Sequence, residues 1–229
     1  MLEPDKTAAM IFAAGFGTRM GALTADRPKP LLELNGRALI DHTLDHVRAF
    51  GPRRIVVNAH YHADQIQAHF RNTDVRVTTE QGEILDTGGG LKAALPILET
   101  DVAITLNSDT LWLGGNPITA LAQHWDPDRM DALLLCVPPE LAMGRNGAGD
   151  FSIAPNGEIR RGGRYTYASV QIMKTAALAE IGENVFSLNV VWDMLIARRR
   201  AYGLAYDAPW YDIGNQDSFY AAAADLGPL

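Results

Sequence analysis

Cysteine is nearly absent from this chain: Cys136 stands alone among 229 residues. No internal disulfide can form, so nothing requires an oxidising compartment, and a cytoplasmic location is expected. Long apolar runs are missing too. "MLEPDK" carries two acids and a proline, and the run behind it meets Gly15 and Gly17 within a few residues. Neither a secretory leader nor a membrane partner is therefore expected. Cations are outnumbered, 20 Lys and Arg against 27 Asp and Glu for a net charge of −7, and the one dense cluster is Arg198–Arg200. That excludes a general nucleic-acid surface, and the three arginines read as the solvated end of a helix.

Several chemical signatures are lacking as well. "GFGTRM" has Met20 where a dinucleotide fingerprint needs its third glycine, and no GK[ST] follows to make a P-loop. No GxSxG elbow announces a nucleophilic serine. His60, His62 and His69 lack an established zinc spacing, and His42 and His46, four apart, lack the glutamate of HExxH. All five read as surface, capping or structural histidines.

The chain does have 47% apolar residues in short blocks that alternate with helical patterns through the first 140 positions. "AMIFAA", "RIVVNAH", "VRVTTE", "VAITLNSD" and "DALLLCVP" read as strands. "LIDHTLDHVRAF", "HADQIQAHF", "GGLKAALPIL" and "PITALAQHW" read as helices between them. This βαβ rhythm predicts an α/β fold, a mainly parallel sheet covered on both faces in three layers, with ligands beyond the strand C-termini. After Pro139 the rhythm changes. "GDFSIAPNGEIRRGG" predicts a hairpin turning at Asn156-Gly157, followed by a strand "YASVQIM", a helix "LNVVWDMLIARRRAY", a short strand near "GLAYDA" and a helix "SFYAAAADL". A single domain over 1–229 is expected.

Ala13, Ala14, Gly15 and Gly17 follow the first strand with almost no side-chain bulk, then come Thr18 and Arg19. Bare backbone N–H groups with a following cation suit an anion, so the loop reads as a phosphate cradle; a tight turn without a ligand is the competing reading. Lys29 stands between two prolines in "RPKP", which stiffen the segment that presents its ammonium to a transferring phosphoryl group. Gly88–Gly90 opening a helix cost about 1 kcal/mol each against alanine. Close approach of a ligand or a tight strand-to-helix turn would explain them. Asp109 ends "VAITLNSD" and Asp212 ends the apolar run of "WYDIG", positions where a carboxylate can hold a hard cation, although Asn-Ser-Asp also makes turns and caps.

"AAGFGTRM", "RPKPLLELNGRALIDHTL", "LDTGGGLKAALP", "LNSD" and "WYDIG" occur in the order seen in sugar-1-phosphate nucleotidylyltransferases, and the chain resembles that superfamily over nearly its whole length. Within it, "LDTGGG" and the short C-terminus look most like the N-acetylmuramate 1-phosphate uridylyltransferases of a peptidoglycan recycling route, with similarity also to mannose-1-phosphate guanylyltransferases. The resemblance implies a Rossmann-like nucleotide-binding half over about 1–139 and a sugar-side half over 140–229 with a small hairpin lobe. It implies a nucleoside triphosphate, UTP favoured, and a sugar 1-phosphate as partners, with Mg²⁺ on Asp109 and Asp212. Arg19 and Lys29 would be catalytic. Ala13, Ala14, Gly15, Gly17, Thr18, Glu80, Gly88 and Asn107 would join them around the nucleotide, and Gly149, Arg164, Tyr165 and Tyr167 would wall the sugar. A lactyl carboxylate would want a cation, Arg161 or Arg164. Three departures stand out from the family's pattern: Gly21-Ala22 for the usual proline, Ser108 for a glycine, and Asn215 after "DIG". A monomer is expected. A non-catalytic nucleotide-sensing domain is the alternative of another class.

Overall fold

The computed structural model describes residues 2–145 and 147–226. Seven strands form the main sheet in the spatial order Ala201–Ala205, Ala132–Val137, Thr166–Lys174, Val102–Asn107, Ala8–Phe12, Arg54–Ala59 and Arg76–Thr79. All pair in parallel except Thr166–Lys174, which runs antiparallel to both neighbours. Strands from before and after residue 139 thus alternate in one sheet.

Alternation along the strands decides which side each residue serves. Ala9, Ile11, Val57, Ile104 and Leu106 face one layer with α1 (Leu39–Phe50), α2 (Ala63–Phe70) and α4 (Pro117–His124). Ala8, Met10, Val56, Ala103 and Met173 face the other, with α3 (Asp86–Leu98) and α5 (Leu188–Ala197). Helix ends follow local chemistry. Gly51, at φ 80°, closes α1 by donating its N–H to Val47 O, and Asn116 caps α4 by accepting from the Ile118 and Thr119 N–H groups. Cys136 is fully buried in the second layer, and burial pushes its thiol pKa up.

The expected hairpin forms from Phe151–Ile153 and Ile159–Arg161. It leans on the edge strand, where the Gly203 N–H donates to Gly157 O at 2.9 Å. A second sheet of three short strands has Trp210–Asp212 between Thr110–Trp112 and Ala142–Met143. Beneath it, Met20, Leu34, Leu111, Ile213 and Ala222 make a third apolar cluster, against which α6 (Gln216–Leu226) docks.

One element departs from the sequence reading. The helix predicted over "LNVVWDMLIARRRAY" stops at Ala197, and Arg199 takes φ 57° to turn the chain into the edge strand. Arg198–Arg200 therefore lie beyond the helix, and each meets a carboxylate: Glu180, Glu158 and Asp131 respectively. Among the described residues no helix is long and apolar enough to cross a membrane.

Candidate active site

Four adjacent strands end at Phe12, Asn107, Ala59 and Thr79 on one rim of the sheet. The loops that follow enclose a cavity of about 420 Å³, lined by Ala13 to Arg19, Lys29, Asn58, Glu80, Asn107 and Asp109 among others. Gly15 has nothing within 4 Å of an added Cβ, so that position opens on the cavity. Gly17 is constrained twice. Its φ is 65°, and a Cβ there would lie 3.0 Å from Lys29 Cβ and 3.2 Å from Thr24 Cγ2. The loop is thereby pressed onto the lysine segment.

Lys29 is buried at the start of a single turn, Lys29–Leu31, and its Nζ lies 2.6 Å from Asp109 Oδ2. Asp109 sits in the bend between Val102–Asn107 and Thr110–Trp112. The strand Trp210–Asp212 pairs antiparallel with Thr110–Trp112, placing Asp212 opposite Thr110, and the Ile213 N–H donates to Asp109 O at 3.0 Å. Two aspartates far apart in sequence are thus side by side. Burial first, and then the charge of Asp109, push the Asp212 carboxyl above the usual range, while Lys29, Arg145 and Arg19 oppose the rise. Ser108, one of the three departures from the family's pattern, donates its hydroxyl to Phe12 O at 2.7 Å and ties the two strand ends together. Asn215, another departure, caps α6: its Oδ1 accepts the Ser218 N–H, and its own N–H donates to Ser218 Oγ.

Ala13 corrects the anion-cradle reading in one detail. Its N–H donates to Asn58 Oδ1 at 2.9 Å, so it is not available to a phosphate. Asn58 is 3% exposed; its Nδ2 donates to Glu80 Oε1 at 2.6 Å, and Glu80 Oε2 accepts the Leu85 N–H at 2.9 Å. His60 Nδ1 lies 3.0 Å from Glu80 O. Glu80 is therefore fixed from three sides, and the buried Asn58 links it to the glycine loop. Sequence reasoning overlooked Asn58, although a polar residue ending a buried strand is the same signal that drew attention to Asn107.

The triple glycine has a packing cause. An added Cβ would lie 2.4 Å from the Phe186 ring at Gly88, 2.1 Å from Asn184 O at Gly89, and 2.9 Å from Asn58 Nδ2 and Glu80 Oε1 at Gly90. Gly88 and Gly89 donate their N–H groups to Phe186 O. Gly88 does not line the cavity; its neighbours Asp86 and Thr87 do.

A second cavity of about 230 Å³ shares Phe12, Asp86, Thr87 and Asn107 with the first. Tyr167 and Arg161 line it, as does Arg145, which sequence reasoning missed. A β-bulge between Tyr167 and Gln171, with Ser169 at φ 58°, accompanies the arrival of Tyr167 there, and its ring meets Trp192 edge-on at 4.8 Å. Burial pushes its phenol pKa up. Gly149, Arg164 and Tyr165 stay out of this lining. Arg164 is taken up by Glu140 at 3.0 Å on the surface, Tyr165 packs on the second core layer, and Gly149 lies tight against the Arg164–Tyr165 backbone.

The histidines singled out in the sequence have separate surroundings, with the His62 ring against Tyr61 at 4.2 Å. His69 pairs with Asp41 at 2.8 Å, His42 Nε2 lies 3.3 Å from Leu34 O, and His46 packs edge-on against Trp112. Among the described residues no group of three or more His, Cys, Asp or Glu could hold an ion.

Residues 9–201 match the profile of the MobA-like NTP transferase domain. The chain belongs to that family. It is 36% identical to an N-acetylmuramate alpha-1-phosphate uridylyltransferase of Caulobacter vibrioides over 95% of this chain and 96% of that one. A protein of the same description from Neisseria meningitidis is 30% identical over 90% and 92% of the two chains. Among solved structures, HddC from Yersinia pseudotuberculosis complexed with GMP-PN superposes with a TM-score of 0.77 at 21% identity, covering 96% of this chain and 99% of that one. The resemblance read from the motifs is borne out, as is the α/β fold it implied. This NTP transferase is a sugar-1-phosphate nucleotidyltransferase.

Proposed function

We propose that the protein transfers the uridylyl group of UTP to N-acetylmuramate 1-phosphate, as a step of peptidoglycan recycling. One observation carries this reading: Lys29 and Asp109 line the larger cavity in contact with each other, Arg19 borders the same cavity, and strand pairing sets Asp212 beside Asp109. Near full-length similarity to two uridylyltransferases supports the choice of substrates.

The sugar phosphate is already an oxyanion, so no general base is needed. Its oxygen forms a bond to the α-phosphorus, the bond from that phosphorus to the oxygen bridging to the β-phosphorus breaks, and pyrophosphate leaves with the electron pair. Catalysis is then positioning and charge stabilisation. The open backbone at Gly15 admits the triphosphate; Arg19 holds the β,γ-phosphates, and Lys29 meets the charge that develops at the α-phosphate. Asn58 and Glu80 form the fixed polar wall beside the base, where a mismatched base leaves buried polar groups unpaired. Arg161, stacked on Phe151 and Trp192 in the sugar cavity, is the cation for a lactyl carboxylate; Arg164 faces solvent with Glu140.

Asp109 and Asp212 would hold a divalent cation. The donor set fits: two adjacent carboxylates, 27% and 25% exposed, leave the other positions to phosphate oxygens and water, the usual manner of Mg²⁺. When bound, such an ion supplies charge neutralisation on the phosphoryl oxygens.

The test is incubation of the Mg²⁺-supplied protein with pairs drawn from UTP, GTP and dTTP and several sugar 1-phosphates, following pyrophosphate release. Release with UTP and N-acetylmuramate 1-phosphate above all other pairs is expected. Preference for GTP with mannose 1-phosphate would replace the substrate assignment, and no release with any pair would favour a non-catalytic nucleotide sensor.

A further inference from the structure

We infer that Arg145 anchors the phosphate of the incoming sugar 1-phosphate and that Asp150 is the positioning residue that aims it. The inference rests on the nucleotidyl-transfer reading above and assigns a residue to its acceptor side.

Ala142–Met143 pairs in parallel with Trp210–Tyr211, so the two chains leave this small sheet side by side, one toward Arg145 and the other into Asp212. Gly144 turns with φ 77°, and a Cβ on it would lie 2.5 Å from Asp212 O and 2.9 Å from Ser218 Cβ. The turn is pressed against the strand that carries the carboxylate, which fixes the point from which the arginine departs.

Its head group is fixed as well. Arg145 Nη2 donates to Asp150 Oδ1 at 3.0 Å, and Asp150 Oδ2 accepts the Tyr167 N–H at 2.9 Å. Arg145 Nη1 lies 3.8 Å from Asp212 Oδ2. Asp150 thus links the guanidinium to the bulged strand of the sugar cavity and turns it along the wall next to Asp212. The side chain remains 40% exposed, and a guanidinium fork beside open space is matched to a phosphate. Arg161, the other cation of this cavity, is held from α5 by Asp193 and Asn189 O rather than beside Asp212.

Direction then assigns the ligand. Asp212 and Gly214 lie two residues apart: Arg145 borders the smaller cavity beside the first, and Arg19 borders the larger cavity beside the second, where a Cβ on Gly214 would lie 3.3 Å from Arg19 Nη1. In-line displacement sets the entering and leaving oxygens on opposite sides of the α-phosphorus. Pyrophosphate leaving toward Arg19 requires the sugar phosphate to enter from the side of Arg145.

The test compares wild-type protein with Arg145→Gln, Arg145→Lys and Asp150→Asn, supplied with Mg²⁺, using N-acetylmuramate 1-phosphate and UTP. Losing a charged hydrogen-bond partner should raise the KM for the sugar phosphate about 10- to 100-fold in Arg145→Gln and leave the KM for UTP unchanged. Arg145→Lys should recover part of the loss, and Asp150→Asn should show the same split at smaller size. Calorimetric Kd values for each substrate alone should move in the same way. A rise in the KM for UTP of equal size, or unchanged constants in Arg145→Gln, overturns the assignment; should that variant misfold, Arg145→Lys and Asp150→Asn decide by the same criterion. Wild-type protein that releases no pyrophosphate with any sugar 1-phosphate defeats the transfer reading itself, whereas an active wild type with an unaltered Arg145→Gln defeats only the role of Arg145.

Discussion

Asn58→Asp replaces one NH₂ group by an oxygen and keeps the shape of the side chain. In the native protein that NH₂ donates to Glu80 Oε1 at 2.6 Å, in a place where Asn58 is 3% and Glu80 8% exposed. The variant sets two carboxyl groups at hydrogen-bond distance away from water. One must keep its proton, because a like charge so close raises a carboxyl pKa by up to about 3 units. The folded variant then binds a proton that the unfolded chain, with an Asp pKa near 3.9, releases. Stability relative to wild type therefore falls as pH rises above about 4 and levels off beyond the raised folded value. At about 1.4 kcal/mol per unit, the loss should be about 1.5 kcal/mol at pH 5 and about 3–4 kcal/mol at pH 8. Below pH 4 the protonated carboxyl introduced at position 58 can donate to Glu80 as the amide did, and the two proteins should nearly coincide. Urea titrations of both at pH 4, 5 and 8, compared at constant m, measure the difference directly. An equal loss at all three pH values would refute the contact, since only a shared proton gives the loss this slope. The KM for UTP should rise in step, because the Asn58 Oδ1 that fixes Ala13 and the Glu80 carboxylate move together.

Other consequences are more direct. Lys29→Ala and Asp109→Ala should each lower turnover roughly 100-fold or more under conditions where circular dichroism shows the protein folded, although each leaves the opposite charge unpaired and lowers stability. Gly89→Ala places a methyl carbon 2.1 Å from Asn184 O, and the displaced α3 terminus should cost about 1–3 kcal/mol, read as a lowered urea midpoint. Arg200 first, and then Lys174, hold the Asp131 carboxyl below its ordinary range, so its contribution is full above the unfolded pKa and is lost as pH falls through the lowered folded value. Asp131→Asn should accordingly be about 1–2 kcal/mol less stable at pH 7, with a deficit that shrinks toward pH 2 in acid titrations.

How far the fold could be read from sequence varies by element. The βαβ stretch was legible because each strand is a short apolar block buried on both faces, as Met10 and Ile11 illustrate by serving opposite layers. The end of α5 was not, because arginines continue a helical pattern as well as they form a turn, and the turn depends on carboxylates that arrive from three other elements. Lys29 and Asp109 could be singled out one by one, but their contact joins residues that no local period relates. Gly88–Gly90 showed that bulk was forbidden without showing by what; Phe186 and Asn184 lie nearly a hundred residues away. Arg161 and Arg164 were equivalent cations on a hairpin until strand geometry set one over aromatic rings and left the other with Glu140. Arg145 had no signal beyond a glycine-rich loop, because its place depends on a two-residue strand beside Trp210 and Tyr211.

A protein of net charge −7 that binds polyanions must keep its cations from being neutralised where they are needed. Away from the site, Arg37, Arg48, Arg198 and Arg199 each meet a carboxylate. Within the site the pairing differs in kind: Lys29 leans on Asp109, and Arg145 lies near Asp212, the same two carboxylates that a divalent cation would occupy. A buried ammonium stripped of its carboxylate, or a carboxylate stripped of its ammonium, is costly. Each cation would therefore stay with its carboxylate until both could exchange partners at once. On the reading proposed above, phosphate oxygens arriving with their own cation would satisfy Lys29 and Asp109 together, whereas a bare triphosphate or a bare metal ion would satisfy only one of them. Local exchange of partners, rather than net charge, would then be what lets an acidic chain hold its substrates.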